Sequence, residues 1–324
     1  MGSGGNLKCE WGEFLMAEYL VQSEDLTAVA DAIRTKGGTD AQLTFPDGFV
    51  DAVQAISAGT AITDGIVVKA RDANGYATEV DYYSTAGVVY PSQFVGADKT
   101  NGTPTSMRYL KKVNLKNRIT TLKSGAFENT FVLEQIVGVD ANPFEYVTSM
   151  DNKYWRGIFK NCACPLNLSL PNFSGDIPDR AQNFCDSASG LLSVSIPNAT
   201  GMLHNYAFSN CTALKTVYLP KITYLNADSA TNKGVFRGCK ALESVQIGSV
   251  GYAANTANNN FYGDTQSGLT ITFYTTGNLV DAVLEHIRNG ATNATIIIKA
   301  AEATTYNGTA YSAGETIITS EVTA

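Results

Sequence analysis

Cysteine, histidine and paired carboxylates are the side chains here that carry covalent or metal chemistry, and their spacing decides whether they are arranged for it. The six cysteines are Cys9, Cys162, Cys164, Cys185, Cys211 and Cys239. Cys162-Ala163-Cys164 is the one close pair, and neither a histidine nor a second pair stands at zinc-ligand spacing from it, so we expect no metal and no cofactor. The two histidines, His204 and His286, lie in no motif with a nucleophile or a second acid. Asp176 and Asp179 in SGDIPDR have the residue types of a glycosidase pair, but around Pro178 they read as a polar turn. No glycine-rich phosphate loop follows a strand. We therefore expect a non-enzymatic chain with no catalytic residue.

What the cysteines do instead follows from their period. Cys162, Cys211 and Cys239 each stand three residues after a phenylalanine, and the phenylalanines recur as Phe127, Phe159, Phe184, Phe208, Phe236 and Phe261. Spacings of about 25 residues are those of a solenoid, in which each unit buries its apolar face only against its neighbours. Behind the phenylalanines runs an apolar pattern ending in alternation: Leu191, Val194 and Ile196; Leu214, Val217 and Leu219; Leu242, Val245 and Ile247. Alternation marks a strand with one buried face. Proline follows at Pro171, Pro197 and Pro220 and ends the strand, since it cannot donate to the ladder. With Leu110, Val113 and Leu115, which lack the phenylalanine, about seven stacked strands fit between residues 108 and 275. The phenylalanines and the three cysteines then form interior columns, the cysteines as buried free thiols.

The spelling Phe-x-x-Cys-x-x-Leu-x-x-Val-x-Leu/Ile-Pro, preceded by a small residue as in Tyr206-Ala207-Phe208, resembles the BspA-type leucine-rich repeat. That repeat is found in bacterial and protist surface proteins and in phage tail proteins. The resemblance covers a little over half of the chain and is closest between Phe184 and Ile247. It weakens at the ends: Thr130 follows Phe127 where cysteine is expected, and Asp264 follows Phe261. Phe184 carries its cysteine one residue on, at Cys185.

The flanks change period. Residues 1–15 read as a disordered leader or tag, with Met16 as an alternative start, because codons for Trp11-Gly12-Glu13 readily spell a ribosome-binding site ahead of it. Within residues 16–59, Leu26, Val29 and Ile33 form one helical stripe and Phe49, Val53 and Ile56 a second, separated by LTFPDGF. This helical hairpin resembles amino-terminal modules of structural proteins in phages of gut Firmicutes, and the resemblance implies a docking or oligomerisation end. Its alternative is a helical cap on the same protomer. Residues 60–100 alternate on both sides of Asn74-Gly75, a small β-module built on a hairpin, with Tyr82, Tyr83, Tyr90 and Phe94 packing under it. Repeats fill 101–277. In 278–324, Asn278 is expected to cap a helix bearing Leu279, Val280, Val283, Leu284 and Ile287, and a strand then leads to an Asn307-Gly308 hairpin that pairs with itself or with a neighbouring subunit. The expected fold is mostly β: a leucine-rich-repeat solenoid with small helical and hairpin ends.

Charge narrows the partners. Thirty acidic against 23 basic residues give a net charge of -7, with no basic stripe for phosphates, so nucleic acid is not expected. Residues 1–25 lack the basic start and apolar run of an export signal, and no stretch has the length of a membrane span. These features point away from a surface adhesin and from membrane insertion, and toward a virion protein made in the host cytoplasm.

On the strands, the residues between apolar positions should face outward: Asn167 and Ser169, Ser193 and Ser195, Thr216 and Tyr218, Ser244 and Gln246, Thr270 and Thr272. This uncharged ladder suits sugar hydroxyls, with Tyr218 stacking on a ring. A solvated β-face without a ligand is the plain alternative, and the loops 142–155 and 251–264 are equal candidates for recognition. The expectation is a phage tail-fibre or baseplate-associated receptor-binding subunit. It would dock to other virion proteins by its amino terminus, assemble as a homotrimer and present the repeats to a host glycan or protein. A capsid fibre or decoration protein, a bacterial surface adhesin and a tail-associated wall hydrolase are the alternatives.

Overall fold

Each repeat ends in alternating apolar residues, and the computed structural model shows the mostly β, leucine-rich-repeat solenoid that such a pattern builds. It describes residues 30–31, 64–90, 109–151, 157–177, 184–204, 206–225, 234–249, 261, 268–287 and 293–321. The chain forms two compact units, Met1–Thr63 and Asp64–Ala324. In the first, Ala30 and Asp31 are helical and Ala30 is buried. Leu26, Val29, Ile33, Phe49, Val53 and Ile56 lie outside the described residues, as does the 1–15 leader.

The second unit begins with an antiparallel hairpin of β1 (Asp64–Arg71) and β2 (Ala77–Ser84). Gly75 supplies the left-handed turn at φ 86°, and the Asp72 carboxylate accepts the Asn74 and Tyr76 amides at 2.9 Å each. β2 then pairs in parallel with β3 (Lys112–Leu115), which pairs with β4 (Gln135–Val137). The hairpin read from the sequence as a separate module is thus hydrogen-bonded onto the repeat strands, with Tyr82 fully buried beneath it and Tyr90 exposed.

A second sheet runs β5 (Leu166–Ser169), β6 (Leu191–Ser195), β7 (Thr216–Leu219), β8 (Ser244–Ser249), β9 (Thr270–Thr275) and β10 (Thr295–Ala300), all parallel. It is closed by antiparallel β11 (Thr316–Glu321). The tail, whose hairpin was expected to pair with itself or with a neighbouring subunit, does pair with itself, β10 against β11, and β10 also joins β9 and so extends this sheet. The reason is register: Ile296, Ile298 and Ala300 stand beside Ile271, Phe273 and Thr275 and prolong the same buried columns. Asn307-Gly308 does turn a hairpin, between Thr304–Tyr306 and Thr309–Tyr311. Asn278 does not cap the helix Val280–Ile287. It lies within a 3-10 turn, Gly277–Leu279, whose Gly277 amide donates to Thr304 Oγ1 at 3.0 Å. Val280, Val283 and Leu284 of that helix are buried.

At the corners, Leu170, Ile196 and Leu219 accept the amides of Phe173, Ala199 and Ile222 across three-residue steps. Pro171, Pro197 and Pro220 therefore occupy the second position of a tight turn, for which their fixed φ is suited. Beyond the turns, short parallel pairs bury Val89, Leu122, Met150, Leu203 and Leu225 on the opposite wall.

Between the walls the phenylalanines stack. Phe127 and Phe159 lie 5.4 Å apart at 6°, Phe208 and Phe236 5.5 Å apart at 6°, and Phe236 and Phe261 5.1 Å apart at 19°. Phe184 breaks the order, edge-on to Phe159 at 82° and to Phe208 at 81°. The backbone ladder gives the cause. Phe127 donates to Ile158, Phe159 to Phe184, Cys185 to Ala207 and Phe208 to Val235. Cys185 thus occupies the station that phenylalanine holds in the other repeats, and Phe184 reaches the column from one residue earlier. Ala188 takes the cysteine station, since its amide bonds Cys185 O as those of Cys211 and Cys239 bond Phe208 O and Phe236 O. Two residues past the phenylalanine stations at 127, 159, 185, 208 and 236 the chain turns left-handed, at Asn129, Asn161, Ser187, Asn210 and Gly238.

The column cysteines also have a bond to make. The Cys211 thiol donates to Cys185 O at 2.9 Å and the Cys239 thiol to Phe208 O at 3.0 Å, so each ties a repeat to the carbonyl of the one before. Thr130, at the cysteine station of an early repeat, turns its hydroxyl to its own Phe127 O at 2.8 Å. Cys162, Cys164, Cys185, Cys211 and Cys239 are all buried and free. Burial pushes all of the thiols at 162, 164, 185 and 211 up, that of Cys164 to about 12.

Two outcomes follow from protonated, enclosed thiols. In native protein at neutral pH, Cys162, Cys164, Cys185, Cys211 and Cys239 should not react with a thiol reagent, and all five should react after denaturant is added; labelling of any of them in the native state would contradict the packing. Because the unfolded thiol titrates near pH ~8.5 and the folded ones higher, their contribution to stability is intact below that pH. It is lost as pH rises toward the folded values. The melting temperature should therefore hold between pH 7 and 8 and fall at pH 10.

Candidate functional site

Parallel strands in register align alternate residues into rows, so the outward side chains read from the sequence can be placed. One row runs Asn167, Ser193, Thr216, Ser244 and Thr270; the second runs Ser169, Ser195, Tyr218, Gln246 and Thr272. The tail strands lengthen both, the first with Thr295 and the second with Ile297 and Thr319. That extension was missed because β10 was not expected in this sheet, although its alternation was visible. Ser193 Oγ donates to Asn167 Oδ1 at 2.7 Å, which links the first two members of its row.

Exposure along the rows is uneven. Asn167, Thr216 and Tyr218 are exposed, while Ser169, Ser193, Ser195, Ser244, Gln246 and Thr270 are half-buried. Tyr218, at 41% exposed, is flanked in register by Ser195 and Gln246, and half-buried Tyr274 stands on the same face two residues past Thr272. Thr272 departs from expectation: at 7% exposed it offers little to a ligand. Gln246 and Ile297 stand on either side of it, and their longer side chains cover a threonine between them.

The four-stranded sheet continues the pattern with a different chemistry. Its rows are Glu79, Lys112 and Gln135, and Asp81, Asn114 and Val137. Asn114 Nδ2 donates to Glu79 Oε1 and Asp81 Oδ1 at 2.9 Å each, and Lys112 pairs with Glu79 at 3.0 Å. These bonds, that of Asn114 foremost, hold the Glu79 carboxyl below its usual range. The rows are thus charged on β2 and β3 and uncharged from β5 to β9, and charge returns on the tail strands at Lys299 and Glu321.

Where one sheet ends and the next begins, exposed apolar side chains gather in a single stretch: Phe131, Val132, Val137, Val139 and Tyr146. Arg118 lies 4.4 Å over the Tyr146 ring and pairs with Asp140 at 3.1 Å. The sequence signal was present in the alternation of Val137 and Val139, which has the look of an ordinary buried strand.

The residues weighed for catalysis are placed differently. His204 is buried, the Asp176 carboxylate accepts the Thr200 hydroxyl beside a backbone bridge to Thr200, and Asp179 lies outside the described residues. Helical His286 has no described side chain.

Residues 105–150 and 155–267 match the BspA type leucine rich repeat region, in six copies. No curated protein matches the chain, and no solved structure does. The matched segments contain the phenylalanine column from Phe127 to Phe261 and the strands from β3 to β8. A repeat surface of this kind fits a surface-presenting or adhesion role.

Proposed function

We propose that, with BspA-type repeats as its scaffold, the chain is a non-enzymatic phage virion protein. It acts as a tail-fibre or baseplate-associated subunit that attaches the particle to its host. Residues 16–59 dock it to other virion proteins, copies of the chain associate with one another, and the repeats face the cell. The observation that carries the reading is the pair of in-register polar rows with Tyr218 exposed among them. Rows of uncharged hydroxyl- and amide-bearing side chains with an exposed aromatic ring have the chemistry to bind a surface glycan. The resemblance of residues 16–59 to phage amino-terminal modules supports the virion placement.

Cryo-electron microscopy of purified particles tests the placement. Density for this chain on the tail, with residues 16–59 against another virion protein, supports it; density on the capsid makes it a capsid fibre, and absence from particles favours a bacterial adhesin. Recognition is tested separately by binding of the protein to host cells. Tyr218→Ala should weaken binding about tenfold, equivalent to ~1.4 kcal/mol, with an unchanged melting temperature because the ring faces outward. Unchanged binding would move recognition off this face.

A further inference from the structure

A strand at the end of a sheet offers an unpaired row of N–H and C=O groups, and chains that remain single blunt such edges with charge, proline or bulges. The outer strands β1 of the four-stranded sheet and β11 of the seven-stranded sheet treat such an edge differently. β1 is irregular twice, between Val68 and Ala70 and between Ala70 and Arg71, and it carries exposed Lys69 and Arg71. β11 has one irregularity, opposite Ile298 and Lys299, after which Ile318 to Glu321 pair regularly with Ile298 to Thr295. From Thr316 to Ser320 it contains only threonine, isoleucine and serine. Among the described residues no strand bonds its outer edge. Ile317 and Ile318 pack on the core yet stay half-exposed.

We propose that β11 is a self-association edge, on which the β11 of a second copy of this chain adds antiparallel and joins two sheets into one. A second copy is the occupant that the edge itself selects. An antiparallel strand is its own two-fold mate, so the contact is isologous and closes. Head-to-tail addition onto the far edge of the same sheet would use β5, whose four residues match the six of β11 only in part. With the two-fold axis at Thr319, each Thr319 faces its counterpart and Glu321 falls opposite Ile317, so no like charges meet. The edge yields an even number of chains rather than the trimer expected from the sequence. It does not depend on what the repeat face binds.

Light scattering on the full chain tests this with two variants. Thr319 is exposed on the outer face, so both should fold. The wild type should contain an even number of chains. Thr319→Lys places two cations opposite each other across the axis and should halve the mass with an unchanged circular dichroism spectrum. Thr319→Cys, combined with Cys9→Ser, should give a disulfide-linked pair under mild oxidation, since the other five cysteines are buried. A monomeric or odd-numbered wild type overturns the proposal. So does an even-numbered assembly that survives Thr319→Lys and whose Thr319→Cys form does not cross-link.

Discussion

Gly190→Ala should destabilise the solenoid by about 3 kcal/mol or more, at the severe end of what overpacking costs, and break it between two repeats. A Cβ at Gly190 would lie 2.0 Å from Ala163 O and 2.4 Å from Cys164 O. Both atoms are backbone, so no rotamer change relieves the contact. Gly190 O also accepts the Leu166 amide at 3.2 Å, at the point where β5 and β6 come into register. Relief therefore requires these repeats to separate, and the bond that starts the ladder goes with it. Because each repeat touches only its neighbours, the damage should be local at first. Limited proteolysis should cut near residues 163–190 before the rest, and thermal unfolding should lose its single transition. A variant that melts within a few degrees of wild type as one cooperative unit would show that the two strands are not held as closely as described.

Much of this arrangement is written in the sequence because a solenoid repeats its constraints. The phenylalanine period, the alternation after it and the Asn-Gly turns each follow from local chemistry, and local chemistry is what a single sequence displays. Cys185 shows where that ends. Aligning repeats on phenylalanine makes it a displaced column cysteine, whereas the backbone ladder makes it the phenylalanine station and Ala188 the cysteine station. Only hydrogen bonds to neighbouring repeats distinguish the two. Thr272 fails for a related reason, since its own strand alternates correctly and its burial comes from Gln246 and Ile297 on the adjacent strands. The union of β2 with β3 and of β9 with β10 also depends on pairings that no period announces.

The same neighbour logic gives the second large effect. Phe208→Ala should cost about 3–5 kcal/mol, the range for removing a buried aromatic ring from a core. Phe208 is fully buried, parallel to Phe236 at 5.5 Å and edge-on to Phe184 at 5.9 Å, so truncation empties a site walled on both sides. It also loosens the carbonyl that the Cys239 thiol bonds. Cavity cost depends on how far the walls can collapse. Here they cannot close without shortening the spacing of backbone strands held by their own ladder, β6 to β7 and β7 to β8. Phe208→Leu, which refills part of the volume, should recover part of the loss. Chemical denaturation of the two variants provides the comparison. Near-equal losses would mean that the column contributes specific ring geometry rather than volume, and a loss below about 1 kcal/mol for Phe208→Ala, far under the cavity range, would remove the phenylalanine stack as the element that holds the repeats in line.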